Sequence, residues 1–336
     1  MKKGSLLRLF TILSLSTIIY SCESSSSDDL VGNWVDKYSF EGVARSHAAS
    51  FSTDSKGYIV TGYDGDDRVR LTDSWEYNPE KNQWIRKADF PGVGRTSSIG
   101  FSINNEGYVG TGYDGTNKLI DFWKFDPKGN TWTKVADFPG SARYGAVGFS
   151  IGSKGYLLGG YDGNYLKDLW EYDSETGSWT QKTSLPGNKR YNSTAFVING
   201  KAYVCTGNEN GSLPYDLWEY NPTSDTWTKK RDIANKSDES YDDDYVIVRQ
   251  NSTAFVINGK GYIATGDNGS LISTVWEYEP TTDLWTQKTD FQGSARNNAV
   301  SFSINNRGFV ATGKTGSQYI DDVWEFEPYA EDNEND

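Results

Sequence analysis

The sequence predicts an all-β chain closed into a ring, a six-bladed β-propeller, and three observations carry that prediction. Ten of the twelve tryptophans form five pairs spaced nine residues apart: Trp75/Trp84, Trp123/Trp132, Trp170/Trp179, Trp218/Trp227 and Trp276/Trp285. Successive pairs lie 47–48 residues apart, with one step of 58, and self-similarity at such a period marks a repeat architecture. The two remaining tryptophans complete the pattern across the chain ends. Trp324 has no partner nine residues later and Trp34 none nine residues earlier, so joined they supply the sixth pair. Composition agrees, since 15% aromatic residues, 35 glycines and frequent turn dipeptides suit many short strands.

At the N-terminus, Lys2, Lys3 and Arg8 precede an apolar run from Leu9 to Tyr20 that is short for a membrane span. It ends in Ile19-Tyr20-Ser21-Cys22, which resembles the lipobox of bacterial lipoproteins. Residues 1–21 are therefore expected to be a signal peptide, with Cys22 lipidated. Residues 22–30, with Glu23, Ser24 to Ser27, Asp28 and Asp29, are expected to be an acidic tether resembling a Bacteroidetes surface-export signal. The ring is expected over 31–328, followed by a disordered acidic tail over 329–336.

Each repeat reads as four strands, a to d. Strand a follows a basic residue (Arg45, Arg95, Arg143, Arg190, Arg249 or Arg296) and carries a phenylalanine six positions on, from Phe51 to Phe302. The residue before that ring is Ser, Gly or Ala, as expected for a strand crowded on both faces at the hub. Strand b is Gly57-Tyr58-Ile59-Val60-Thr61-Gly62 and its copies. In two repeats the hairpin signals Asn199-Gly200 and Asn258-Gly259 precede it. Strand c holds the first tryptophan of each pair and strand d the second, with turns such as Asn78-Pro79-Glu80-Lys81-Asn82 between them. After strand d come an apolar residue six positions past its Trp and an Arg eleven past it. Trp84, Phe90 and Arg95 obey this rule, and so do Trp34, Phe40 and Arg45. The N-terminal segment is thus a d strand that must join strands a to c of the last repeat, removing the open edge.

These elements, the Arg before strand a, the glycine ending strand b, the Tyr after the centre of strand c and the Trp of strand d, resemble the kelch repeat over essentially the whole mature chain. Kelch units usually end strand b in Gly-Gly. Here only Gly159-Gly160 does so, and the other five repeats read Thr-Gly. The resemblance implies the fold and leaves the activity open, because propellers host unrelated functions.

In such blades the b–c loops and the d–a linkers emerge on one face, so that loop rim is the candidate binding site. The six arginines, Arg45, Arg95, Arg143, Arg190, Arg249 and Arg296, are expected to alternate there with acidic loop residues Asp64, Asp114, Asp162, Glu209 and Asp267, each either pairing with its neighbouring Asp to hold the blades in register or contacting a ligand. The residue after each Arg varies most (Ser46, Thr96, Tyr144, Tyr191, Gln250 and Asn297), and Tyr144 and Tyr191 offer flat faces for a sugar or peptide. The expected ligand is a glycan or a protein, with a partner complex in the outer membrane also possible. The alternative is a sugar mutarotase, similar to the six-bladed kelch enzyme N-acetylneuraminate epimerase, with Glu209, Asp162 or His47 as acid or base.

Other classes are excluded or disfavoured. A net charge of −13, or −16 once Lys2, Lys3 and Arg8 leave with the leader, opposes nucleic-acid binding. A single histidine, His47, cannot make a multi-imidazole copper or zinc centre, and no phosphate loop or nucleophile elbow occurs, so no cofactor or metal is expected. Cys205 shares a column with Val60, Leu158 and Ala264 and reads as a buried small apolar side chain. The long step carries an acidic insert over 235–245, expected to be a solvated loop above the rim.

Overall fold

The computed structural model describes Met1, residues 30–238 and residues 245–333. The expected leader, the tether with Cys22, the heart of the acidic insert (239–244) and the last three residues lie outside that range.

Six four-stranded antiparallel sheets make up the molecule. Blade 1 runs from axis to periphery as Ala49–Ser52, Gly57–Val60, Ser74–Asn78 and Gln83–Lys87. Blades 2 to 5 repeat this order from inner strands Ile99–Ile103, Val147–Ile151, Thr194–Ile198 and Thr253–Ile257. Blade 6 combines Val300–Ile304, Arg307–Ala311 and Val323–Glu327 with Asn33–Lys37 from the other chain end. Trp34 sits opposite Phe326 in that pairing, is fully buried, and meets Phe291 edge-on at 4.8 Å. The expected head-to-tail closure is the observed one.

Packing explains the columns. Within a blade the strand-a Phe stacks on the strand-b aromatic ring, as in Phe51–Tyr58 at 4.7 Å and Phe255–Tyr262 at 5.5 Å. Its other side meets the first residue of strand b in the next blade. A Cβ on Gly107 would lie 2.1 Å from the Phe51 ring, so glycine is what allows the blades this approach.

Near the axis a second closure appears, made of backbone alone. The amide of Ser97 donates to His47 O, Gly145 to Ser97 O and Asn192 to Gly145 O. Asn251 then donates to Asn192 O, Asn298 to Asn251 O and His47 to Asn298 O, which completes a head-to-tail circle of six hydrogen bonds. All six residues have φ between 51° and 63°. That left-handed conformation explains a column of Asn, Gly, Ser and His, because short polar side chains and glycine bear it best.

Residues 329–333, expected as part of a loose tail, instead dock on blade 6. Gly32 N donates to Ala330 O, Asn333 N to Asn33 Oδ1 and Gln292 Nε2 to Asp332 Oδ1. The flanks of the acidic insert are also tied down: Ala234 bridges Val246, and Tyr245 donates to Asp232 O and packs edge-on against Trp276.

Candidate functional site

The six arginines are the main correction to the sequence reading. Arg45, Arg95, Arg143, Arg190, Arg249 and Arg296 start from the rim backbone, but their side chains turn inward and are fully buried. Arg45 donates through Nη1 and Nη2 to both oxygens of Asp73 at 2.6 and 2.7 Å, through Nη1 to Thr61 O, and through Nε to Val43 O. Its guanidinium also lies 4.8 Å over the Phe40 ring. The same carboxylate accepts Trp75 Nε1 at 2.7 Å. Arg95 repeats this with Asp121, Arg143 with Asp168, Arg190 with Asp216 and Arg296 with Asp322. Burial of the charge is tolerated because five of the six are ion-paired and all six are hydrogen-bonded to buried acceptors. Fully buried, these arginines lie out of reach of a ligand.

The partner was missed in the sequence because the aspartates heading the loops, Asp64, Asp114 and Asp162, looked nearer. The usable signal was Asp two residues before the first Trp, present at Asp73, Asp121, Asp168, Asp216 and Asp322. Blade 5 has Thr274 there, so Arg249 is held by Thr274 O and Oγ1, Thr265 O and Ile247 O, without a carboxylate. Burial pushes its ionisation down to about 10.

Each buried arginine acts as a keystone for the doublet in both of its forms, Arg143 binding Gly159 O as the other five bind a threonine carbonyl. Thr61, Thr111, Thr206, Thr265 and Thr312 stand at φ of 56–62°, a conformation costly for a β-branched residue, and the Arg beside each binds its carbonyl.

The loop carboxylates serve their own turns. Asp64 accepts the amides of Asp66 and Asp67, and Asp114 those of Thr116 and Asn117 at 2.7 and 2.6 Å. Asp162 accepts the amide of Asn164 at 2.8 Å. The amides of Asn117 and Thr116 hold the Asp114 carboxyl below the usual carboxylate range. Glu209 accepts from Asn188 Nδ2. Asp267 differs: its oxygens accept from Gln250 Nε2, Asn251 Nδ2 and Asn297 Nδ2, each at 2.8 Å, in one network at the axial mouth.

The rim itself is where expected. Each residue following the arginine bridges the residue that opens the b–c loop: Ser46 with Tyr63, Thr96 with Tyr113, Tyr144 with Tyr161, Tyr191 with Asn208, Gln250 with Asp267 and Asn297 with Lys314. Two variable columns thus lie side by side on one face. Blades 5 and 6 carry amides, Asp267 and Lys314. Blades 1 to 4 carry tyrosines, in continuous contact from blade 2 to blade 4. Tyr113 and Tyr144 are 5.5 Å apart, Tyr144 and Tyr161 5.6 Å, Tyr144 and Tyr191 6.4 Å, and Tyr165 and Tyr191 5.6 Å. At the other end Tyr319 meets Tyr63 at 6.0 Å, and Arg70 lies over both Tyr63 and Tyr113 at 5.5 and 5.4 Å. Arg70, Tyr165 and Tyr319 stand on the return strands of b–c hairpins, opposite Tyr63, Tyr161 and Lys314; these hairpins differ in length, so the sequence did not bring the three together.

The proposed acid–base groups are not assembled. Among the described residues, no hydrogen bond or ion pair joins any two of His47, Asp162 and Glu209. His47 Nδ1 lies 2.8 Å from Ser46 Oγ, and burial followed by the charge of Lys314 pushes its pKa down to about 4, leaving a weak base at neutral pH. Cys205 is buried as expected, its thiol pushed up to about 12, which removes it as a nucleophile. No metal-binding cluster of His, Cys, Asp or Glu occurs among the described residues.

Fold and rim together define a closed six-bladed propeller, consistent with an interaction module. The chain belongs to the kelch-repeat family: the KLHDC2/KLHL20/DRC7 Kelch-repeats domain matches residues 137–313, and the Kelch motif matches residues 112–139. Among solved structures it is similar to one titled "Structure of YjhT", with a TM-score of 0.70 and 18% identity over 86% of this chain and 96% of that one. At that identity the likeness supports the fold alone. No curated protein matches the sequence.

Proposed function

We propose that this protein is a recognition module, anchored to the bacterial outer membrane through lipidated Cys22, whose loop rim binds a glycan or protein outside the cytoplasm. The observation that supports this most is the contrast between frame and rim. Arg, Asp, Trp, Phe and Tyr columns repeat with few exceptions, whereas the residue after each Arg takes five identities in six blades and its bridged partner is Tyr in three blades and Asn, Asp or Lys in the others. The Arg–Asp pairs supply uniform structure, so the variation falls on the rim, where these side chains, Ser46 and Asn208 excepted, are partly exposed. Tyr144 and Tyr191 lead the aromatic half, and Asp267 with its amides leads the polar half. Aromatic faces beside hydrogen-bonding groups suit ligands with one apolar and one polar aspect.

The test is made in cells with full-length protein and fluorescent glycan and peptide libraries. Wild type is expected to stay with the membrane fraction and to retain a ligand. Tyr144→Ala with Tyr191→Ala is expected to lose that ligand by tenfold or more at unchanged thermal stability, since both rings are half exposed. Cys22→Ser is expected to leave the membrane. A double variant that binds as wild type does would remove the rim from the function, and a Cys22→Ser protein still held by the membrane would remove the anchor.

A further inference from the structure

We infer that the tyrosine arc binds an extended glycan chain, several sugar units long, carrying an isolated carboxylate that is received by Arg70. The inference rests on the rim reading above and narrows it. Two observations carry it.

The first is continuity. From Tyr63 through Arg70, Tyr113 and Tyr144 to Tyr191, each aromatic ring is in contact range of the next group, with steps of 5.4–6.4 Å. A single sugar would cover one or two of these rings. A surface this long is filled by a linear chain, whose units each lay a C–H face on a tyrosine, so binding free energy accumulates along the chain.

The second is Arg70 itself. The keystone arginines are consumed by buried acceptors, and Arg86 and Arg307 are paired with Asp89 and Glu325. Among the described residues Arg70 has no ion pair and no side-chain hydrogen bond, and its Nε is buried without a partner there. Stacking on Tyr63 and Tyr113 fixes the plane of the guanidinium while leaving its donors unused. A planar fork held in this way matches a carboxylate. Asp114, whose carboxyl feels the charge of Arg70, is already committed to the amides of its own turn.

Charge then limits the ligand. The chain carries −13, and Asp64, Asp114 and Asp162 head the loops along the arc. A densely charged polyanion would meet these carboxylates within about one Debye length, roughly 8 Å at physiological salt. A mainly neutral chain with sparse acidic substituents meets Arg70 without that repulsion. Lys118, whose Nζ lies 5.8 Å from the Tyr161 ring, adds a positive charge further along the arc.

The experiment is calorimetric titration of the full chain at 150 mM salt with β-linked gluco-, xylo- and manno-oligosaccharides of one to six units. Each ladder is run with and without a glucuronic acid branch, and polygalacturonate and poly-glutamate are run alongside. A branched ladder is expected to tighten at least tenfold between one and four units. Arg70→Gln is expected to weaken the branched ligand tenfold or more and to leave its unbranched counterpart unchanged, with wild-type melting behaviour. Equal affinity for one and four units, no binding by any branched ladder, or indifference to Arg70→Gln would overturn the inference. Binding of neutral chains that depends on Tyr144 and Tyr191 but not on Arg70 would overturn it while sparing the rim reading. Tightest binding to polygalacturonate would contradict the sparse charge, and Arg70-dependent binding of poly-glutamate alone would make the ligand a protein. Glycan binding indifferent to Tyr144→Ala with Tyr191→Ala would defeat both readings.

Discussion

Replacing Trp34 by alanine should destabilise the entire propeller, although it changes one residue of the first strand. Trp34 is fully buried against Phe255, Phe291 and Phe326, so truncation leaves a cavity and loses about 3–5 kcal/mol. In a domain of this size that lowers the melting temperature by on the order of ten degrees. The transition should remain a single step, because the strand it belongs to closes a ring in which each blade is covered by its neighbours. The equivalent change at Trp227, which is half exposed, should cost less. Differential scanning calorimetry decides the matter. A separate early transition for blade 6, with the other five melting as in wild type, would show that closure is not what unites them.

Substituting the buried arginines should unfold the protein before it affects any ligand. Removing one partner of a buried ion pair leaves an uncompensated charge and costs about 3–5 kcal/mol. Arg143→Ala together with Arg190→Ala strands Asp168 and Asp216 and releases the carbonyls of Gly159 and Thr206. The sequence alone invited the opposite expectation, that this double variant would lose binding and keep its fold. Chemical denaturation should place its midpoint far below that of wild type. A folded, stable double variant would contradict the keystone role.

Two other pairs of this kind, Arg45–Asp73 and Arg95–Asp121, make the ring sensitive to acid. Burial by itself would raise the carboxyls of Asp73 and Asp121. The hydrogen bonds and charge of Arg45 and Arg95 outweigh it and hold both below the usual range. A carboxylate depressed in the folded state contributes stability that is fully present above its unfolded value, about 3.9, and is lost as pH falls through the lower folded value. Stability should therefore decline below about pH 4, and Asp73→Asn should be less stable than wild type at pH 7 and flatten part of that decline.

Much of the fold was legible because a repeat writes each constraint several times. The Trp grid located strands c and d, the Phe column located strand a, and the two unpaired tryptophans implied closure. The arginine column was seen but misassigned. An Arg beside a loop looks like a surface residue, and nothing local reveals that its side chain turns inward to Asp73 rather than outward beside Asp64. The hub column of His47, Ser97, Gly145 and the three asparagines has a left-handed backbone circle as its cause, which only the closed ring reveals. Tyr144 and Tyr191 were found because their column varies. Arg70, Tyr165 and Tyr319 were not, since loops of unequal length bring them to the arc only once the blades are in place.

Closure can be measured directly. Asn33 and Glu327 are opposed in the outer pairing of blade 6, within reach of a disulfide. In a full chain carrying Cys22→Ser and Cys205→Ala, the pair Asn33→Cys with Glu327→Cys should oxidise to an intramolecular cross-link in nearly every monomer and raise the melting temperature. No cross-link in folded protein, or a cross-link found only between chains, would contradict a ring closed by its own two ends.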